Sequence, residues 1–204
     1  MQGAFALPYC EDPELDIHYV ELPYVFNAAS FLVLLPRKKN GLKDLQKSLT
    51  PQGFSRLNQC KRMKDIELSL PKFEIQVTLD MKTALQKIGI REVFSDQADL
   101  SRISPVNNCK SVSALCHSGY MSVSEKGTGA ERASTAKPEG RADGAAGRRL
   151  VTSLSGTPMQ LATNVEKTSK SIRVEVDHPF LFAVRHNRTG LMICLGRVET
   201  MGDD

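Results

Sequence analysis

The sequence predicts an α+β protein with mostly antiparallel β-sheets and a few short helices. Three observations predict it. Apolar runs of strand-forming residues recur along the chain, closed by prolines and turn residues. Helical spacing of apolar residues appears only over short stretches. One stretch, 124–149, has no Val, Ile, Leu, Met or aromatic residue and cannot hold itself to a core by side-chain burial.

Residues 17–24 and 29–35 are apolar runs closed by Pro23 and Pro36, which predicts two neighbouring strands. Asn40 and Gly41 make a turn, after which Leu42, Leu45 and Leu49 repeat at helical spacing up to Pro51. Pro51 opens a second short helix behind a Thr50 cap. Ile66, Leu68 and Leu70 alternate with polar residues, as do Phe73, Ile75 and Val77, which predicts one long strand bent at Pro71. Asp80 caps a helix with the apolar stripe Ala84, Leu85 and Ile88, ended by Gly89 in the position that favours a left-handed C-cap. Residues 111–123 return to a strand pattern. Taken by its residues alone, 124–149 is a flexible linker. Order resumes at Ile172, Val174 and Val176, and residues 180–184 and 191–195 flank a turn at 187–190, a buried hairpin.

A chain of 204 residues, 41% hydrophobic and 25% charged, is large and apolar enough to fold around a core. Its net charge of +4 is mild, and its basic clusters are Arg37-Lys38-Lys39, Lys61-Arg62 with Lys64, and Arg148-Arg149. They read as solvated faces, with a glycosaminoglycan as the weaker alternative; no aromatic residues interleave with them as a nucleic-acid groove requires. The five cysteines, Cys10, Cys60, Cys109, Cys116 and Cys194, are odd in number and irregularly spaced. That spacing argues against a zinc site and against a disulfide, and predicts buried or exposed thiols. Residues 1–7 lack the pattern of an export signal, and no stretch is apolar enough to span a membrane. No Gly-rich phosphate loop, GxSxG elbow or HExxH motif is present, and His18, His117, His178 and His186 are isolated, so neither an enzyme nor a cofactor is expected.

The landmarks resemble, in order, the second half of the serpin fold. Residues 20–24 (VELPY) and 31–36 are similar to strands of its sheet B, and 70–73 (LPKF) to the start of the sixth strand of sheet A. Gly89-Ile90, Phe94 and residues 98–101 (ADLS) resemble a further family stretch, and residues 113–117 its approach to the fifth strand of sheet A, with His117 mapping near the breach. Residues 125–130 (EKGTGA) are similar to the reactive-loop hinge, so Glu125, Gly127, Thr128 and Ala130 take that role. The ending, 177–182 with Thr189-Gly190 and residues 196–198, is similar to the family's, particularly to the plasminogen-activator-inhibitor and nexin group.

The resemblance implies a partial serpin fold and an inhibitor of serine proteases. It divides the chain into a body (1–123), an exposed reactive-centre loop with an insertion (124–171) and closing buried strands (172–204). A protease cleaves the loop, which then enters sheet A as a new strand and carries the acylated protease with it. Small residues such as Gly127, Thr128 and Ala130 suit such a strand, which replaces the linker reading. Counting from Glu125 as the family does places the reactive bond at Arg141-Ala142, and an arginine there fits a trypsin-like protease. Counting back from Asp177 places it near Thr168, so about 27 residues are inserted, which loop-closure entropy tolerates. Arg148 and Arg149 are further candidates. The family also implies secretion and makes the Asn187-Arg188-Thr189 sequon a glycosylation candidate.

Two features depart from the pattern. Glu131 and Arg132 stand where inhibitory members carry small residues, which keeps a non-inhibitory binding or carrier protein as the competing reading. The helices and central strands that precede VELPY in the family have no counterpart in this chain, so an inability to inhibit by itself is expected.

Overall fold

The strands predicted from the pattern form, together with three that the pattern missed. The computed structural model describes residues 1–102, 111–124, 127–139, 149–157 and 171–200. They fall into two compact units. One comprises Met1–Phe73, Val123–Gly127 and Thr157–Asp204; the other comprises Glu74–Ser122 and Thr128–Gly156.

The first unit is built on a seven-stranded sheet. Its strands are β1 (Gln2–Asp12), β2 (Ile17–Pro23), β3 (Ala29–Pro36), β4 (Arg62–Ser69), β9 (Ile172–Glu175), β10 (Phe180–His186) and β11 (Met192–Val198), in the order β11-β10-β3-β2-β1-β4-β9. All neighbours are antiparallel except β4 and β9, which run parallel. The central strands β2, β3 and β10 carry apolar residues on both faces over most of their length because both faces of the sheet are covered. On one face lie α1 (Leu42–Ser48) and α2 (Pro51–Cys60), whose Leu42, Leu45 and Leu57 pack with Ile17, Tyr19, Leu32, Leu34, Leu181 and Ala183. Thr50 caps α2 as the sequence predicts, accepting a hydrogen bond from the Gly53 amide at 3.1 Å. On the other face Phe31 stacks on Phe182 at 5.6 Å between ring centroids, and Phe73 meets Phe182 at 5.6 Å and Phe180 at 5.8 Å.

Alternation along the strands sets this division, since consecutive residues point to opposite faces. It also explains Gly196, opposite Phe182 in the β10–β11 register. A Cβ there would meet the Phe182 ring. Gly196→Ala is therefore expected to lower stability by about 1–3 kcal/mol, read from thermal or urea unfolding. An unchanged midpoint would show that the ring moves without cost.

The expected long strand over 66–77 is two strands, which is a correction. β4 ends at Ser69 in the seven-stranded sheet, and β5 (Phe73–Asp80) belongs to another sheet. Pro71, in the connection, has no amide proton to donate to a continuous ladder.

The second unit holds a four-stranded sheet of β5, β6 (Ser111–Ser124), β7 (Gly127–Glu139) and β8 (Arg149–Thr157), in that order. α3 (Met81–Lys87) follows β5. Its cap is Asp80, whose side chain accepts from the Lys82 amide at 2.9 Å, and Gly89 beyond its end has φ +99°, as predicted. Lys82 also donates to the Ser113 carbonyl at 3.0 Å and lies over the Phe94 ring.

Candidate functional site

Most of the segment expected to act as the hinge lies in a strand. Gly127 opens β7, Thr128 and Ala130 follow within it, and β7 lies between β6 and β8. This corrects the expectation of an exposed loop over the whole of 124–171. The physical reason is that burial of large side chains is not what holds such a segment. Backbone pairing on both sides does, and it tolerates Gly, Ala, Ser and Thr. Thr128 is 4% exposed and its hydroxyl has no hydrogen-bond partner among the described residues. Glu125, Arg141, Ala142, Arg148 and Thr168 lie outside the described residues; Arg149 is the first residue of β8.

His117, mapped by resemblance near the breach, is placed midway along β6 and half-buried. Asn187, the glycosylation candidate, is half-buried at the end of the β10 strand. Its Nδ2, the atom a glycan would modify, donates to the Asn27 carbonyl at 2.9 Å, to Asn27 Oδ1 at 2.8 Å and to Ser30 Oγ at 2.9 Å. A sugar on that nitrogen would displace these contacts.

The basic cluster at 37–39 is committed to local ion pairs. Arg37 meets Glu11 at 2.8 Å, Lys38 meets Asp16 at 3.6 Å and Lys39 meets Asp177 at 3.3 Å. Paired charges attract a polyanion less than free ones, which weakens the glycosaminoglycan alternative. Among the described residues no group of His, Cys, Asp and Glu could hold a metal ion, and no helix is long and apolar enough to cross a membrane.

Cys10 and Cys60 form a disulfide, with Cα atoms 5.8 Å apart across a sequence separation of 50. This corrects the thiol expectation. Sequence spacing says nothing of two cysteines brought together by folding, and here α2 carries Cys60 back against β1. The same junction is fastened by Asp12, which accepts from Arg56 Nε at 2.8 Å and from the amides of Glu14 and Leu15 at 2.9 Å each. Burial raises the Asp12 carboxyl, but those bonds more than offset it and hold it below the usual carboxylate range.

A second buried cluster also went unseen in the sequence. Glu21 and Arg185, 4% and 7% exposed, pair at 2.8 Å on the helix-covered face of the sheet. Lys61 reaches the other Glu21 oxygen at 2.6 Å, and Arg185 also donates to Asn58 of α2. Burial raises the Glu21 carboxyl; hydrogen bonds from Lys61 and Ser30 and the charge of Arg185 outweigh that and lower it overall. At the other end of β3, His178 lies between two acceptors, Asp177 Oδ1 and the Pro36 carbonyl, each at 2.6 Å. It thereby ties the approach to β10 to the end of β3. These groups hold the sheet.

A seven-stranded sheet closed by a C-terminal hairpin, with a small-residue strand following directly on β6 in a second sheet, defines the class to which the chain belongs: the family model Serpin (serine protease inhibitor) matches residues 1–201, and the chain is a member of that family. It is an inhibitor family, and the chain is not an enzyme. Among relatives, Iripin-8 of Ixodes ricinus is 32% identical over 188 residues, 92% of this chain and 41% of that protein. Serpin B11 of Homo sapiens is 29% identical, over 97% of this chain and 44% of that protein. In solved structures, cleaved Serpin 42Da superposes with a TM-score of 0.77 at 26% identity, covering 100% of this chain and 47% of that one. The chain thus spans less than half the length of these relatives. Neither relative bears the plasminogen-activator-inhibitor or nexin name, and the subgroup expected from the ending finds no support in them.

Proposed function

We propose that these residues are the C-terminal part of a serine-endopeptidase inhibitor of the suicide-substrate kind, with Arg141-Ala142 as its reactive bond and a trypsin-like protease as its target. The observation that carries the reading is the family match across residues 1–201 together with a hinge segment paired to β6. An arginine at the cleaved position supports the trypsin-like choice, because a guanidinium pairs bidentately with an acidic specificity pocket. In this reading the 204 residues alone behave as a substrate, since β7 already has neighbours on both sides. The Cys10–Cys60 disulfide supports an extracellular setting, because such bonds persist in oxidising compartments. A glycan on Asn187 is not part of the reading, given the bonds its amide makes.

Limited digestion with trypsin, followed by mass spectrometry, tests the reactive bond. The first cut is expected after Arg141. A first cut after Arg132, within β7, or among residues 171–198 would contradict the assignment.

A further inference from the structure

We propose that His178 is a pH-sensitive clasp: with a proton on each ring nitrogen it bridges Asp177 and the Pro36 carbonyl and pins the connection between β9 and β10 to the end of β3, and loss of one proton releases one of the two contacts.

The sequence puts the ring inside. From Val174 to Phe180 alternate residues are buried, Val174, Val176, His178 and Phe180, while Glu175 and Asp177 are exposed. The histidine thus takes a place whose neighbours on the same side are apolar. A ring 9% exposed has to satisfy both nitrogens within the protein. Nδ1 lies 2.6 Å from Asp177 Oδ1, and Nε2 lies 2.6 Å from the Pro36 carbonyl oxygen. A carbonyl oxygen only accepts, and so does an ionised carboxylate. Asp177 is ionised at neutral pH: the bond from His178 holds its carboxyl below the usual range against the opposing effect of burial, with help from Lys39. A neutral imidazole has a single N–H and serves one of the two acceptors. Both contacts together need the imidazolium.

The charged and titratable groups around the ring support that state. Lys39, from the turn before α1, meets the second Asp177 oxygen at 3.3 Å. His18 of β2 is close enough for the two rings to repel when both are charged. Burial above all holds His18 below the usual histidine value; Arg37 and His178 act in the same direction, and Glu11 and Asp16 act against it. The Tyr9 hydroxyl, 2.7 Å from His18 Nδ1, is a partner that suits a neutral ring. Of the two histidines, His178 is the one whose partners call for the charge. β9 follows residues 124–171 in sequence, so the clasp anchors the far end of the stretch read as the reactive loop; only this consequence rests on the proposed function.

Nitrogen NMR of the histidine rings, read together with amide hydrogen exchange, tests the clasp on the uncut chain with no protease present. The range is about pH 5 to 8, where histidine changes charge. His178→Gln assigns the ring signals. At the acid end both ring nitrogens of His178 are expected to carry protons, and at the alkaline end one. Over the same interval the amides of Val176 and Arg37, which donate to the Ser69 and Asp16 carbonyls at 2.8 Å each, should come to exchange faster by about tenfold beyond the intrinsic effect of pH. Asp177→Asn is the discriminating variant. Its amide accepts from a charged ring or donates to a neutral one, so both contacts survive in either state and the extra acceleration should disappear. A proton count on His178 that does not change over the range, or proton loss without faster exchange, would overturn the proposal. An acceleration that persists in Asp177→Asn would also overturn it, by assigning the effect to His18 or another group. If Asp177→Asn does not fold, the titration of the parent decides alone. Because no protease is involved, failure here leaves the inhibitor reading standing, and a misplaced first cut by trypsin leaves the clasp standing.

Discussion

Arg185→Ala is expected to destabilise the first unit by about 3–5 kcal/mol, the cost of stranding a buried carboxylate. Glu21 is 4% exposed and, among the described residues, would keep only Lys61 as a charged partner. Asn58 and Asn187 would lose a donor as well. Urea unfolding at neutral pH reads the effect. Removing both ends of the pair, Glu21→Leu with Arg185→Met, is expected to cost less than the sum of the single changes, because no uncompensated charge remains. Acid supplies a second readout with a definite sign. The folded Glu21 carboxyl lies below its unfolded value, so its stabilisation is complete above about pH 4.3 and is lost as pH falls through the folded value. Arg185→Ala should flatten that acid limb. A loss under about 1 kcal/mol would mean that water or a rotamer change replaces the guanidinium.

Cys10→Ser with Cys60→Ser, or reduction of the wild-type chain, is expected to cost about 4 kcal/mol. The estimate follows from the loop-closure entropy of a separation of 50 residues. The bond joins β1 to the end of α2, and Asp12–Arg56 spans the same junction, so the helix should stay docked but open more readily. Mass spectrometry of non-reduced peptides should recover the Cys10–Cys60 pair, and the unfolding midpoint should fall on reduction. Free thiols at both positions in protein made under oxidising conditions would contradict the pairing and with it the support for an extracellular setting.

Legibility followed the physical origin of each feature. β2, β3 and the β10–β11 hairpin were readable because apolar runs between prolines and turn residues are local signals. The Thr50 and Asp80 caps and the left-handed Gly89 were readable for the same reason. β1 was missed although Phe5, Leu7 and Tyr9 alternate, because Pro8 interrupts the pattern; pairing with β4 on one side and β2 on the other holds it regardless. β7 was missed because its residues carry no burial signal and its order comes from neighbours. The Cys10–Cys60 and Glu21–Arg185 pairs join positions far apart in sequence, which only the register of the sheet and the packing of α2 bring together. The family motifs pointed to a hinge at 125–130, of which Gly127, Thr128 and Ala130 lie in β7, while the reactive-bond candidates Arg141, Arg148 and Thr168 fall outside the described residues.

The central claim is that the segment proposed as the reactive loop begins with a strand, β7, that is already paired between β6 and β8. The family mechanism draws its free energy from adding that strand after cleavage, so a strand already in place leaves little to gain, and deacylation proceeds. Incubating the uncut chain with an equimolar amount of trypsin, followed by denaturing electrophoresis and an assay of residual protease activity, tests this most directly. The expected result is a cleaved chain, a fully active protease and no band at the summed mass. A band at the summed mass that survives denaturant would contradict the claim.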